Sequence, residues 1–174
     1  MKQEFLRLET ELLRLINRGC RIRLIDRLVR EATRLGSPFF VVPVCVGAWV
    51  TGISGFEPMA KVSTQAMFAL ASSHAVVRFL KVVVKRKRPY LTLGNLMVRG
   101  PELKDLSFPS GHTAAAFSLA TSFAAAFPGV GMLLTVLASL VGISRMYVGM
   151  HYPSDVIFGA FLGSASVWLA RAIL

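Results

Sequence analysis

Long apolar runs separated by short polar islands set the pattern of this chain. Residues 39 to 56 are apolar, and residues 59 to 84 are apolar apart from a few basic positions. Residues 112 to 127, 130 to 144 and 153 to 174 are three further apolar runs. A membrane-crossing helix needs about 20 such residues, fewer where it falls short of full thickness. The pattern therefore predicts five spans. Pro43 and Gly47 lie inside the first run, where a packed span tolerates them. Small residues recur in the third and fifth runs, and the spacing of Gly159 and Gly163 allows close helix approach.

Before the first run the pattern changes. Residues 2 to 35 read as two amphipathic helices broken near Gly19. In the second, Ile22, Ile25, Leu28, Ala32 and Leu35 follow helical spacing, and Arg23, Arg27, Arg30 and Arg34 fall on another face. Nine basic and five acidic residues among the first 38 rule out a span and the apolar core of a cleavable signal peptide. A two-faced, Arg-rich helix beside spans is expected to lie in the interface plane, in preference to a soluble hairpin. The expected division is an interfacial arm over residues 1–38 and a membrane-embedded domain over residues 39–174. The expected fold class is all-α, a polytopic bundle of about five transmembrane helices plus the arm.

Residues 85 to 108 form the longest polar connection. It opens on Lys-Arg-Lys-Arg-Pro, where Pro89 stops helix continuation. Gly94-Asn95 and Gly100-Pro101 are turn signals within it. So long a loop is usually functional, and it is read as a cap over a site.

Composition sharpens this picture. The chain has 174 residues, is 54% hydrophobic and carries a net charge of +11 from 20 Lys+Arg against 9 Asp+Glu. The charges are clustered, which a soluble domain would not show. Nucleic acid needs a soluble basic face with stacking aromatics, but the aromatics here lie in the apolar runs. Anionic lipid or a phosphorylated substrate is the better partner. Cys20 and Cys45 have no metal spacing and stand in a charged and an apolar segment, so neither a metal site nor a disulfide is expected.

Three polar islands carry candidate chemistry: Lys81 to Pro89, Pro109 to His112, and Ser144 to Asp155. Counting crossings puts all three on one membrane face. The second span ends at the first island and the third begins at the second. The fourth span returns to Arg145, and the fifth starts after His151. Lys81, Arg88 and Arg145 supply three cations, of which arginine offers a planar fork for phosphate oxygens. Gly111 and the start of the helix at His112 offer free amides and a positive dipole end. Asp155, four residues after His151, would fix its tautomer and leave the other ring nitrogen as a nucleophile. His112 would protonate the leaving oxygen and then activate water. Singly, each residue has a plainer role as a loop charge, headgroup anchor or helix-end pair. Jointly, on one face, they describe phosphate-ester hydrolysis through a phosphohistidine. Three cations in one place argue against His112, His151 and Asp155 as metal ligands. His74, Arg78 and Lys81 share one face of the second span. Such residues usually face the bundle interior or a site; His74 reads as a packing histidine, and Arg78 and Lys81, near the helix end, have snorkelling to the interface as the alternative.

At these positions the sequence resembles the type 2 phosphatidic acid phosphatase superfamily of membrane lipid phosphatases. Its three signatures, K-x6-RP, PSGH and SR-x5-H-x3-D, stand here as Lys81-VVVKRK-Arg88-Pro89, Pro109-Ser110-Gly111-His112 and Ser144-Arg145-MYVGM-His151-YPS-Asp155. The likeness spans roughly residues 36 to 170. It implies cofactor-free, metal-independent dephosphorylation of a lipid phosphate or diphosphate. Undecaprenyl diphosphate, phosphatidylglycerophosphate and phosphatidate are the substrates it suggests. It also implies His151 as nucleophile, Asp155 as its partner and His112 as acid/base, with Lys81, Arg88, Ser110, Gly111 and Arg145 on the phosphate. Typical bacterial members look like six-span proteins with the site on the outer face, and by that pattern this chain begins at the arm after a first span. The positive-inside rule, applied to the arm and the 85–104 loop, points to the cytoplasmic face. The expectation adopted is a multi-pass protein of the cell membrane with its site on the extracytoplasmic face. The competing readings are a non-catalytic anionic-lipid binder or lipid transporter using the same cations, and a phosphatase of soluble substrates.

Overall fold

A computed structural model describes residues 2–19, 22–99 and 105–174. Among them are eight helices and no strand. They are α1 (Lys2–Arg18), α2 (Arg23–Leu35), α3 (Pro38–Ile53), α4 (Glu57–Val84), the single turn α5 (Pro89–Thr92), α6 (Gly111–Ala124), α7 (Pro128–Tyr147) and α8 (Pro153–Ile173). Prolines open α3, α5, α7 and α8 in the first helical turn, where a missing N–H costs nothing. Cys20 and Gly100-Pro101 lie outside the described residues.

α6 is the centre of the bundle. It packs against α7, α8, α4 and α3. Thr113, Ala114, Ala115, Ala116, Ser118 and Ala120 are buried along it, so small side chains let its neighbours close in. The sequence places α8 there through two glycines. A Cβ on Gly159 would meet the Ser110 carbonyl oxygen at 2.5 Å, and one on Gly163 the Ala114 carbonyl oxygen at 2.3 Å. The expected close approach of these two positions is thus an approach to the backbone of α6. A second core joins α3, α4 and α6 through Val41, Cys45, Val62, Ala66, Ala115, Leu119 and Phe123. Cys45 is free and buried.

The five apolar runs fall on α3, α4, α6, α7 and α8, but not all of these helices are long enough to be spans. Three helical segments are long and apolar enough to cross a membrane: Glu57–Thr92, Pro128–Tyr147 and Pro153–Ile173. α2 and α3 together, bent by 54°, could supply a fourth. α6 has 14 residues, about 21 Å at the helical rise, short of a hydrocarbon core of about 30 Å. Its apolar pattern reflects burial inside the bundle instead of contact with lipid. The outward faces are apolar: Phe79, Val82, Met132, Leu133, Val136, Ile157, Phe161 and Trp168 are all exposed. With such helices the chain is a multi-pass membrane protein.

α1 and α2 lie against the end of the bundle where α7 and α8 meet. α2 packs on α7 but buries no residue completely. Arg23, Arg27, Arg30 and Arg34 are exposed along it. α1 buries Glu9, Leu13 and Asn17 along one face, while Phe5, Leu8, Leu12 and Leu15 are exposed. Asn17 Nδ2 donates to the carbonyls of Tyr147 (2.7 Å) and Met97 (2.9 Å), which fastens α1 to the end of α7 and to the 85–108 loop.

Candidate active site

The chain leaving α7 must reverse before α8, and its local bonding explains how. Gly149 takes φ +78°, a left-handed conformation that favours glycine. That turn brings the amides of Met150 and His151 back to the Arg145 carbonyl, at 3.0 and 3.3 Å. Arg145 and His151 are therefore locked to one another through the backbone. Pro153 then starts α8 and places Asp155 in its first turn. His151 Nδ1 lies 3.5 Å from Asp155 Oδ2, and Nδ1 has no closer hydrogen-bond partner.

A second element brings Arg88 to the same ring. Lys85 closes α4 in a left-handed conformation, and the side chains that follow alternate, with Lys85 and Lys87 exposed, Arg86 half-buried and Arg88 buried. Arg88, 1% exposed, donates to the Met150 carbonyl at 3.0 Å and to His151 Nε2 at 3.3 Å. Arginine has no acceptor, so Nε2 is the unprotonated nitrogen and the ring proton resides on Nδ1, facing Asp155.

The third element is the start of α6. Ser110 caps it: its hydroxyl lies 2.9 Å from Thr113 Oγ1 and accepts the Thr113 amide at 3.5 Å. Its own amide donates to the Asp155 carbonyl at 3.0 Å, which ties α6 to α8. Gly111 and His112 follow with amides outside the helical ladder.

These elements enclose a cavity of about 590 Å³ lined by Lys81, Arg88, Gly111, His112, Arg145 and His151, among others. Of the expected site residues, six line the cavity. Asp155 is buried behind His151, and the hydroxyl of Ser110 is turned into its helix instead of the cavity. Arg145 is 5% exposed and its Nε has no hydrogen-bond partner. A buried guanidinium N–H without an acceptor is costly, and an anion in the cavity would satisfy it. His74 and Arg78 also line the wall, and His74 Nδ1 lies 3.1 Å from the Leu70 carbonyl oxygen. Among the described residues no cluster of three or more His, Cys, Asp and Glu side chains is arranged to hold a metal ion.

Residues beyond those expected also line or support the site. Asp105 bonds both Lys81 Nζ and Arg88. Burial opposes its ionisation, but the hydrogen bonds from Lys81 and Arg88 prevail and hold its carboxyl down at about 2. An anion thus already sits on two of the three cations. Ser107 donates to Asp155 Oδ2, and Arg86 donates to Asp155 Oδ1 at 2.8 Å. Within the Lys-Arg-Lys-Arg run no local pattern separates Arg86 from its neighbours. Glu9 and Asn17 flank Leu13 at helical spacing, which marks an inward polar pair on α1. Nothing in the sequence singles out Asp105 or Ser107.

Comparison with known proteins gives a consistent picture. Residues 63–174 match the model of the PAP2 superfamily. The chain is 43% identical over 79 residues to the bacitracin transport permease protein BcrC of Bacillus licheniformis, a match covering 45% of this chain and 39% of that one. It is 28% identical over 155 residues to the undecaprenyl-diphosphatase of Sulfolobus acidocaldarius, covering 88% of this chain and 72% of that one. Among solved structures, Aquifex aeolicus LpxE superposes with a TM-score of 0.82 at 29% identity, covering 93% of each chain.

Proposed function

This chain belongs to the PAP2 superfamily, and we propose that it is an integral-membrane phosphatase that hydrolyses the phosphate or diphosphate of a lipid. The single observation that carries the reading is the arrangement around His151. One ring nitrogen faces a buried carboxylate, and the other receives an arginine N–H at the wall of a cation-lined cavity.

The reaction proceeds in two displacements. The substrate phosphoryl group displaces the Asp105 carboxylate from Lys81 and Arg88 and takes up the unpartnered Arg145 N–H. Lys81, Arg88, Arg145 and the opening amides of α6 spread the charge that develops on its oxygens. His151 Nε2 attacks phosphorus, and the bond to the lipid oxygen breaks as His112 protonates that oxygen. The Nδ1 proton stays with His151, held toward Asp155. In the second step His112 takes a proton from water, whose oxygen attacks phosphorus. The P–N bond breaks, and inorganic phosphate leaves. The three cations take the role that a metal would otherwise fill, so the reaction needs none.

Undecaprenyl diphosphate, phosphatidylglycerophosphate and phosphatidate fit this chemistry equally. The relative named as an undecaprenyl-diphosphatase supports the first. The apolar, exposed outer faces of α4, α7 and α8 favour a substrate delivered from the bilayer over a soluble one. α1 and α2 form the interfacial arm, residues 85–99 and 105–108 cap the site, and the site faces the extracytoplasmic side. Labelling a cysteine at Asn95 with a membrane-impermeant reagent, in a chain without Cys20 and Cys45, tests that face. Label that enters intact cells' membranes only after permeabilisation places the site in the cytoplasm.

A phosphate-release panel with EDTA present tests the function. Purified protein is expected to release phosphate from at least one of the three lipids. Loss of all release on adding EDTA contradicts the metal-free reaction. Tight lipid binding with no turnover on any of them favours instead a non-catalytic binder or lipid transporter.

A further inference from the structure

Behind the nucleophile, away from the cavity, a buried ionic clamp joins three distant parts of the chain. Arg86, from the segment after α4, donates to Asp155 Oδ1 at 2.8 Å and to Ser154 Oγ at 2.7 Å. Its other terminal nitrogen donates to Glu9 Oε2, in α1, at 2.6 Å. The guanidinium stacks over the Tyr152 ring at 3.8 Å. Glu9 in turn accepts the Ser154 amide at 3.0 Å and the Ser154 hydroxyl. Glu9 is 5% exposed and Asp155 fully buried.

Two buried carboxylates sharing one guanidinium is an expensive way to gain stability. Well-packed apolar residues usually serve a core at least as well. Their placement gives the arrangement a purpose. Asp155 Oδ1 is held by Arg86, and Oδ2 accepts the Tyr152 amide at 2.8 Å and the Ser107 hydroxyl. The plane of the carboxylate is therefore set on both sides, and that plane determines how Oδ2 meets His151 Nδ1. Neither Glu9 nor Arg86 lines the cavity. Glu9 also lies outside residues 63–174, the part that matches the family model.

We propose that Glu9 and Arg86 are positioning residues: Glu9, in the N-terminal arm, holds Arg86, and Arg86 fixes the Asp155 carboxylate against the His151 imidazole. The inference rests on the phosphatase reading. It makes α1 part of the support of the nucleophile and not merely a membrane contact.

The test measures kcat, KM and thermal unfolding of the full chain in detergent, with phosphatidate, undecaprenyl diphosphate or phosphatidylglycerophosphate as substrate, whichever the wild type hydrolyses. Glu9→Gln keeps the shape and removes the charge. It is expected to lower kcat about tenfold, and Arg86→Gln about 100-fold, the scale of a reacting group displaced by up to an ångström. KM stays within about twofold in both, because neither side chain reaches the substrate. Glu9→Gln combined with Arg86→Gln should be no slower than Arg86→Gln alone, since the two act in series. Arg86→Lys, which keeps the charge, recovers part of the loss. If Arg86→Gln does not fold, Glu9→Gln and Glu9→Asp carry the same comparison. A lowered unfolding temperature with kcat unchanged overturns the proposal, as does a rise in KM alone or losses that multiply in the double variant. Absence of turnover by the wild type on all three lipids overturns the phosphatase reading instead.

Discussion

Nδ1 of His151 lies 3.5 Å from Oδ2 of Asp155, both side chains almost wholly buried. The contact is longer than a good hydrogen bond. Catalytic contacts often tighten only when substrate is bound. Asp155→Asn keeps the size and removes the charge that steadies the ring as Nε2 bonds to phosphorus. A fall in kcat of about 10²–10⁴-fold is expected, the range for a group that manages a proton in the transition state. Steady-state phosphate release checks it, and His112→Ala should fall in the same range.

The ionisation of His151 gives a pH prediction. Burial pushes its imidazole down from an ordinary 6.5 to about 4, with Arg145 and Arg88 adding to the shift and Asp155 opposing it. The nucleophile is neutral above that value, so the acid limb of kcat/KM should fall near pH 4 and not near 6.5. The sign for stability follows from the same shift. Between those two values the unfolded chain binds a proton at His151 that the folded chain does not, so this residue's contribution to stability is lost as pH falls through that window. His151→Gln should flatten that part of the stability profile.

Asp105 competes with substrate for Lys81 and Arg88. Its carboxylate stays ionised at any working pH, and its side chain is 53% exposed. Asp105→Asn should tighten inhibition by inorganic phosphate by about two- to fivefold, the scale of a partly exposed ion pair. Phosphate inhibition constants for the two proteins measure it. Weaker inhibition in the variant would mean that Asp105 orders the cations instead of screening them.

The glycine approach to α6 predicts a stability cost. A Cβ on Gly163 would sit 2.3 Å from the Ala114 carbonyl oxygen and 3.0 Å from the Ser118 amide nitrogen. Backbone cannot yield as a flexible side chain would, so Gly163→Ala should cost about 1–3 kcal/mol, as overpacking does. Gly129→Ala is the control, because nothing stands within 4 Å of its Cβ position. Unfolding temperatures in detergent compare the two.

The hydrophobic pattern marks α4, α7 and α8 to within a few residues, because an apolar run bounded by Pro, Gly or charge has few other outcomes in a bilayer. It did not reveal that α6 is short and internal: a helix buried in a bundle and one facing lipid are equally apolar. Span parity placed Lys81, Arg88, His112, Arg145 and His151 together, and they do line one cavity. Parity depends on which end of a helix a residue occupies, which sequence does specify. Asp105 and Ser107 have no such signal, and the spacing of Glu9 gives its inward face on α1 but not its partner. They reach the site through the fold of the 85–108 loop and the docking of α1, and such long-range contacts leave little local pattern.

The most direct measurement of the central claim is to trap the intermediate. Rapid quench of the enzyme with a lipid substrate labelled on the scissile phosphate, followed by peptide mapping, should recover an acid-labile phosphoryl group on His151. His151→Ala should yield none and release no phosphate. A wild type that turns over with no phosphorylated residue, or His151→Ala that still releases phosphate, would contradict the account.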